Sequence, residues 1–144
     1  MLFTLAIVIL ISLKTCMAQV ATCKDDGDRE LDWFFVYKPQ NVLNTKIIKS
    51  ERNPAWANSG ATIDQRAGHS IVLTMAHYVQ NHAEIKVLAY SDDPPNLPPR
   101  NEKSKAKGVL LVDNRVDDAA AWFVHTVPNF LAHLGGYSWP AAET

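Results

Sequence analysis

Hydrophobic residues along this chain fall into short runs separated by polar or proline-containing breaks, and the spacing within each run predicts its secondary structure. Aromatic and β-branched residues crowd positions 31–37, and Pro39 ends that run, so we expect a central strand there. Lysines flank Ile47 and Ile48, which predicts a second, edge-like strand over 45–50. Further strands are predicted at 85–90, 108–113 and 119–127.

One stretch has helical periodicity instead. Between Gly68 and Val79, apolar residues recur three and four positions apart, which predicts a short amphipathic helix. A helix followed by a strand is typical of βαβ units, so the expected fold class is α/β, a mixed β-sheet with flanking helices. Prolines and basic residues predict an exposed loop over 91–107. The last two strands should form a hairpin, and no element is predicted in the tail from Pro128.

The first 18 residues differ in composition from the rest of the chain, because 14 of them are apolar. Their continuous apolar core of about a dozen residues is shorter than the roughly 20 that a membrane-spanning helix needs, so we expect no membrane anchor. Small residues at Cys16 and Ala18 suit signal peptidase. The segment 1–18 is therefore predicted to be a signal peptide that directs 19–144 into the secretory pathway. The alternative is a buried N-terminal strand.

Composition places the chain among ordinary globular proteins. With 47% hydrophobic residues, 20% charged residues and a net charge of −1, it is neither disordered, nor collagen-like, nor equipped with a strongly basic nucleic-acid-binding tail. Removal of the signal peptide would take away Cys16 and leave Cys23 alone in an oxidising compartment. Three explanations of that thiol stay open: a partner on a second subunit, a partner on a further part of the polypeptide, or a free thiol.

Four sequence blocks follow one another along the chain, and the first and last of them are uncommon strings. They are DWFFVYK at 32–38, YSDDPP at 90–95, KGVLLVD at 107–113, and WFVHTVPNF at 122–130 with YSWP at 137–140. In sequence and in order, these blocks resemble the N-terminal part of the deoxyribonuclease II family, which belongs to the phospholipase D superfamily. Members of this family are considerably longer, so the resemblance implies that 19–144 form one lobe of a phospholipase-D-like two-lobed fold.

The resemblance also implies an activity: metal-independent endonucleolytic hydrolysis of DNA at acid pH, in lysosomes or secretions. In the superfamily, two His-x-Lys motifs, one from each lobe, meet in a single site. One imidazole attacks the phosphorus, the other protonates the leaving oxygen, and the two lysines offset the phosphate charge. This chemistry needs both lobes and no cofactor.

This chain departs from the family pattern at the first motif. Lys107 corresponds to the family lysine, but Lys105 stands in the place of the histidine. None of the five histidines is followed two positions later by lysine. A lysine side chain, with a reference pKa near 10.4, stays protonated at acid pH and cannot act as a nucleophile. We therefore expect no hydrolysis by this chain alone.

Three candidate features surround the motif. Basic residues recur before and within the motif, and we call them the basic strip: Arg100, Lys103, Lys105 and Lys107. The basic strip is either a phosphate-binding surface or part of a solvated loop. His125 corresponds to a family histidine and is either a residue that supports the site or a hydrogen-bonded core histidine. The resemblance implies that Cys23 pairs with a cysteine shortly after the YSWP block, where this chain has none.

Other groupings favour structural roles. His77 and His82 are five positions apart, which is the wrong spacing for one helix face, so no metal site is expected there. The bidentate glutamate of a calcium loop is missing after Asp25, Asp26 and Asp28. Four aromatic residues are expected in the core and not as platforms for bases, namely Trp33, Phe35, Trp122 and Phe123.

Three classes of function remain open. The first is a nuclease that is active only with a second lobe carrying His-x-Lys. The second is a catalytically inactive secreted paralogue that binds DNA or a partner protein. The third is a product without a stable fold, because a single lobe would expose sheet edges and an apolar face. Lys105 favours the second or third class over the first.

Overall fold

The computed structural model describes residues 21–79, 83–102, 105–115, 118–130 and 137–140. The predicted signal peptide lies outside these residues. Within them, no helix is long and apolar enough to cross a membrane. The described elements are β1 Cys23–Lys24, β2 Glu30–Leu31, β3 Phe34–Tyr37, β4 Lys46–Lys49, β5 Ala57–Asn58, α1 Ser70–Thr74, α2 Ala76–Val79, β6 Ile85–Ser91, β7 Lys107–Asp113 and β8 Ala119–His125.

These strands pair into three antiparallel sheets within the described part of the chain. β1 pairs with β2, β4 lies between β3 and β5, and β7 lies between β6 and β8. Sheets combined with short helices agree with the expected α/β class. Among the described residues every strand pair is antiparallel, so the predicted mixed sheet is not observed. The βαβ unit is also not observed there, because the strand before the helices (β5) and the strand after them (β6) belong to different sheets.

The second sheet reverses the predicted positions of its first two strands. β3 lies at an edge, whereas β4 is central, with Ile48 opposite Phe35 and Ile47 opposite Ala57. Ile47 is only 3% exposed. The predictions of a central strand at 31–37 and an edge strand at 45–50 are therefore wrong. Aromatic and β-branched residues favour a strand conformation, but they do not indicate whether the strand lies at the centre or at the edge of its sheet.

The predicted helix over 68–79 is present, but it starts later and is interrupted. Gly68 has a φ of +73°, and His69 caps α1 by accepting a backbone N–H of the first turn at 3.2 Å on Nδ1. The other ring nitrogen hydrogen-bonds Thr45 Oγ1 at 2.9 Å, which ties the cap to the second sheet. Met75 has a ψ of 0° and separates α1 from α2.

The core lies between the inner face of the β6–β7–β8 sheet and the helices. Val109 pairs with Phe123 and Leu111 with Ala121, which confirms the predicted hairpin. The tail, in which the sequence predicts no element, contributes three aromatic side chains to this core. The buried cluster consists of Ala21, Ile63, Ile71, Val72, Met75, Tyr78, Ile85, Val109, Leu111, Phe130, Tyr137 and Trp139.

The aromatic residues that the sequence assigns to the core are mostly exposed. Phe35 is 65% exposed, Trp122 66% and Trp33 39%, while Phe123 packs against the core. Successive side chains of a strand point to opposite faces of the sheet. Because Ala121 and Phe123 occupy the inner face of β8, Trp122 points outward. The core prediction is wrong for three of the four residues.

Two aspartates of the loop between β1 and β2 fasten distant parts of the fold. Asp25 is 1% exposed, and its Oδ2 lies 2.6 Å from the Arg29 guanidinium and 3.4 Å from Lys49 Nζ in β4. Asp26 accepts the backbone N–H of Ser70, at the start of α1, at 2.8 Å. The acidic run thus connects its loop to both the second sheet and the first helix.

The ionised form of Asp25 stabilises the fold. Burial by itself would raise the pKa of this carboxyl, but hydrogen bonds from Arg29, the Gly27 amide and Lys49 outweigh it and lower the pKa to about 2. The pKa of an unfolded aspartate is about 3.9, so the folded state binds the proton less tightly. The resulting stabilisation, about 2 kcal/mol, is fully present above about pH 4 and is lost as the pH falls towards 2.

Asp25→Asn should lower the free energy of unfolding by about 2 kcal/mol at pH 7, because the amide keeps the shape and loses the charge. Urea denaturation at pH 7 and near pH 2 should reveal a much smaller difference at the lower pH. Asp28→Asn is the matched control, since that side chain is 64% exposed. An Asp25→Asn effect of equal size at both pH values would contradict the assignment.

Candidate functional site

The first residue of β7 and the residue after β6 form a buried ion pair at one end of their sheet. Lys107 Nζ lies 2.6 Å from Asp92 Oδ1, and the two side chains are only 6% and 4% exposed. The end of β6 and the start of β7 lie side by side because the strands are antiparallel, with Ser91 opposite Lys107. Each ion tolerates burial because the other neutralises it.

The ammonium group of Lys105 lies near the second oxygen of the same carboxylate. Its Nζ is 3.4 Å from Asp92 Oδ2 and 3.2 Å from Asn101 Oδ1, and its side chain is 64% exposed. The hydrogen bond from Lys107 is the largest effect on the pKa of Asp92 and lowers it, helped by Lys105 and opposed by burial. The carboxylate is therefore ionised at pH 5. Asp92, Lys105 and Lys107 together form what we call the basic site, with a net charge of +1.

Gly108 follows Lys107 at a position where the backbone is approached closely. A Cβ atom there would lie 2.6 Å from Tyr90 Oη and 2.8 Å from the Phe123 carbonyl oxygen. Trp122 Nε1 donates to the same Tyr90 hydroxyl at 3.3 Å. The glycine thus lets the tyrosine lie across the outer face of the sheet, opposite the face on which Lys107 is buried.

His125 ends β8 directly across from Lys107. Its ring stacks on Phe123 with centroids 5.4 Å apart and meets Phe130 edge-on at 5.4 Å. Burial, followed by the charge of Lys107, lowers the pKa of His125 to about 4, so its ring is neutral at pH 5. Among the described residues, Nδ1 has no hydrogen-bond partner. Both interpretations of this histidine keep support: it packs in the aromatic core, and it neighbours the basic site.

Only part of the predicted basic strip lies on the surface. Arg100 and Lys105 are exposed, Lys107 is buried, and Lys103 lies outside the described residues. The Arg100 backbone N–H donates to the Asp92 carbonyl at 2.6 Å. Asp92 is the residue of this site that sequence reasoning misses. Its only signal is its place in the YSDDPP block, because nothing local indicates that its side chain turns towards a lysine fifteen positions away.

Metal coordination has no candidate in the part of the chain that the structure describes. Within it, no three His, Cys, Asp or Glu side chains converge as ligands. His77 is half-buried, and its predicted neighbour His82 lies outside the described residues. That the family's hydrolysis needs no metal here remains a prediction.

Comparison with known proteins places the chain in a family. Residues 22–144 match the family model of deoxyribonuclease II. The chain belongs to the deoxyribonuclease II family. It is 31% identical to deoxyribonuclease-2-alpha of Rattus norvegicus, over 92% of this chain and 41% of the relative, and 30% identical to that of Bos taurus, over 95% and 40%. Plancitoxin-1 of Acanthaster planci is 28% identical, over 94% of this chain and 41% of its own length.

Membership of the deoxyribonuclease II family confirms the resemblance carried by the four sequence blocks. The chain spans about two fifths of the length of these relatives. The part that it matches is their N-terminal part, as expected. No solved structure matches the chain.

Two edge strands of this deoxyribonuclease II family member border an open groove. Among the described residues, β3 and β8 each have a hydrogen-bonded neighbour on one side only. The groove has a volume of about 1140 Å³ and is lined by residues 32–41 and 120–128. The two strands expose apolar side chains at Phe35, Tyr37, Trp122 and Val124. Both free backbone groups and apolar surface are therefore available to another polypeptide segment.

Cys23 lies at the same groove. Its thiol is half-buried and has no disulfide partner within the described part of the chain. Burial, followed by the negative charge of Asp32, raises the pKa of the thiol. All three explanations of this cysteine remain open.

Cys23 should react slowly with iodoacetamide at pH 7.5, because only the thiolate is nucleophilic and a raised pKa reduces its population. Residue-resolved mass spectrometry should give a rate at least about threefold below that of the same cysteine in the urea-unfolded chain. Asp32→Asn should increase the rate in the folded chain. Equal rates in the folded and unfolded chains would contradict this account.

Proposed function

We propose that residues 19–144 form the N-terminal lobe of a secreted deoxyribonuclease II-type protein with a phospholipase-D-like two-lobed fold, and that DNA is its ligand. The observation that carries the proposal is the basic site, in which Lys105 and Lys107 converge on Asp92. The resemblance aligns these two lysines with the family's first motif. Family membership supports DNA as the ligand. The predicted signal peptide supports the secretory pathway, with a secreted or lysosomal destination.

By itself this lobe binds DNA phosphate and does not hydrolyse it. Hydrolysis by the family's chemistry needs an imidazole that attacks phosphorus and a second that protonates the leaving oxygen. The chain supplies ammonium groups at 105 and 107, and an ammonium group has no lone pair to donate. His125 is neutral at pH 5, but its ring is packed between Phe123 and Phe130, which suits a supporting role and not attack on a substrate.

A second lobe is the partner that this proposal requires for activity. Its source is either a further part of the same polypeptide or a second subunit. The groove between β3 and β8 supports such a partner, because a strand edge gains hydrogen bonds when another strand is added and exposed aromatic side chains gain burial. A disulfide from Cys23 to this partner is part of the proposal, and the position of Cys23 at the groove supports it.

The alternative function is that of a non-catalytic secreted paralogue that binds DNA or another protein. The exposed aromatic side chains favour it, since Trp122 and Phe35 are each about two-thirds exposed. Such residues serve as stacking platforms for unpaired bases or as anchors in protein interfaces. Under this alternative, the loss of the family histidine at 105 would leave binding intact.

A plasmid-nicking assay at pH 5 with a chelator tests the catalytic part of the proposal. We expect the purified chain to leave supercoiled plasmid intact, because no histidine stands at 105, while an active deoxyribonuclease-2-alpha nicks it under the same conditions. Robust cutting that disappears in Lys107→Ala and persists in Lys86→Ala would overturn the claim that this chain alone is inactive.

DNA binding should depend on the basic strip. Replacing Lys103, Lys105 and Lys107 together by alanine should weaken binding to duplex DNA at low salt about tenfold and flatten the slope of log K against log salt concentration by roughly two. Fluorescence anisotropy measures both quantities.

The control for this experiment removes the same charge elsewhere. Lys46, Arg52 and Lys86 are exposed residues outside the basic strip. Their triple alanine variant should keep the salt slope of the unmodified chain. No binding by the unmodified chain at low salt would refute the phosphate-binding strip.

A further inference from the structure

Asp92 contacts both lysines of the basic site, and the family chemistry gives it no task. Its Oδ1 accepts from Lys107 Nζ at 2.6 Å, and its Oδ2 lies 3.4 Å from Lys105 Nζ. The carboxylate is 4% exposed and Lys107 6%, so water screens that contact little, whereas the Lys105 side chain is 64% exposed and its contact is partly screened. One buried anion therefore links a buried lysine to an exposed one.

The backbone of Asp92 also closes the loop that carries the basic strip. Its N–H donates to the Ala106 carbonyl at 3.1 Å, and its carbonyl accepts from the Arg100 N–H at 2.6 Å. On the neighbouring residue, the Asp93 carbonyl accepts from the Asn129 N–H at 3.1 Å, which connects the loop to the segment after β8. The start, middle and end of the loop thus meet at one residue.

We propose that Asp92 is the positioning residue of the basic site, holding Lys105 beside the anchored Lys107 so that the exposed ammonium is directed at DNA phosphate. This role rests on the proposed function, since it concerns how the same site binds its ligand. Buried Lys107 anchors the Asp92 carboxylate, Asp92 orients Lys105, and the exposed Lys105 ammonium contacts the phosphate. The lowered pKa of Asp92 agrees with a link that stays charged at acid pH.

The proposal makes a prediction opposite in sign to simple electrostatics. Removing a negative charge beside a phosphate-binding site strengthens DNA binding if the carboxylate only repels phosphate. If Asp92 positions Lys105, removing the carboxylate releases that lysine and weakens binding. The sign of the change therefore separates the two roles.

Asp92→Asn in the full chain should bind a DNA duplex about threefold to tenfold more weakly at low salt, with a salt slope reduced by roughly one. Asp93→Asn is the matched control, because it removes the same charge one residue away and its carboxylate makes no hydrogen bond among the described residues. That control should bind as tightly as the unmodified chain or slightly more tightly. Unchanged or tighter binding by Asp92→Asn would overturn the proposal.

A double-mutant cycle separates positioning from general damage to the fold. If Asp92 acts through Lys105, the double variant Asp92→Asn with Lys105→Ala should bind no more weakly than Lys105→Ala alone. If the losses of binding free energy in the two single variants simply add in the double variant, Asp92 acts independently of Lys105, which contradicts the positioning role.

A measurement without DNA keeps the two proposals distinguishable and needs no variant. In the unmodified chain, the Lys107 ammonium protons should exchange slowly at pH 5 and give a protected signal in a ¹⁵N-detected lysine spectrum, because Asp92 holds them away from water. Absence of that signal would overturn the role of Asp92 even where Asp92→Asn fails to fold. A protected signal in a chain that does not bind DNA would leave the link intact and refute the proposed function.

Discussion

Moving a carboxylate from water into a protein interior is unfavourable unless cations or N–H groups replace its hydration, and this constraint shapes the described structure wherever an acid is buried. Asp25, Asp92 and Asp113 are each at most 6% exposed. Arg29 and Lys49 neutralise Asp25, and Lys105 and Lys107 neutralise Asp92. Asp113 lies 2.6 Å from the Arg115 guanidinium. These ion pairs decide where the loops attach to the sheets.

Strand β7 shows how this constraint links the core to the site. Its inner face presents Lys107, Val109, Leu111 and Asp113, all of them buried. The two apolar residues form the centre of the core, and the two charged residues end the strand, each neutralised by a neighbouring loop. The position of Lys107 is therefore coupled to the core, because Lys107 and the core residues Val109 and Leu111 lie on the same face of one strand. That coupling explains why Lys107 is buried although its side chain is charged.

The outer face of the same sheet follows the opposite rule. Leu88, Leu110 and Trp122 lie side by side across the three strands, and Leu88 and Trp122 are more than three-fifths exposed. Exposed apolar patches of this kind mark interaction surfaces. The curated relatives extend well beyond the part that this chain matches. Among the described residues, the apolar outer face and the edges of β3 and β8 agree with the proposal that this unit packs against a further polypeptide segment.

The sequence by itself determined the family, the places of most strands and the hairpin. These follow from local patterns: alternation, β-branched runs, and the blocks that carry the resemblance. Which strands are neighbours, which face of a strand is buried and where Lys107 points were decided only by the tertiary structure. Alternation separates two faces but does not say which one meets the core, so Trp122 and Phe123 look alike in sequence. The pairing of Lys107 with Asp92 requires β6 and β7 to meet, and a contact between residues fifteen positions apart leaves no local pattern to read.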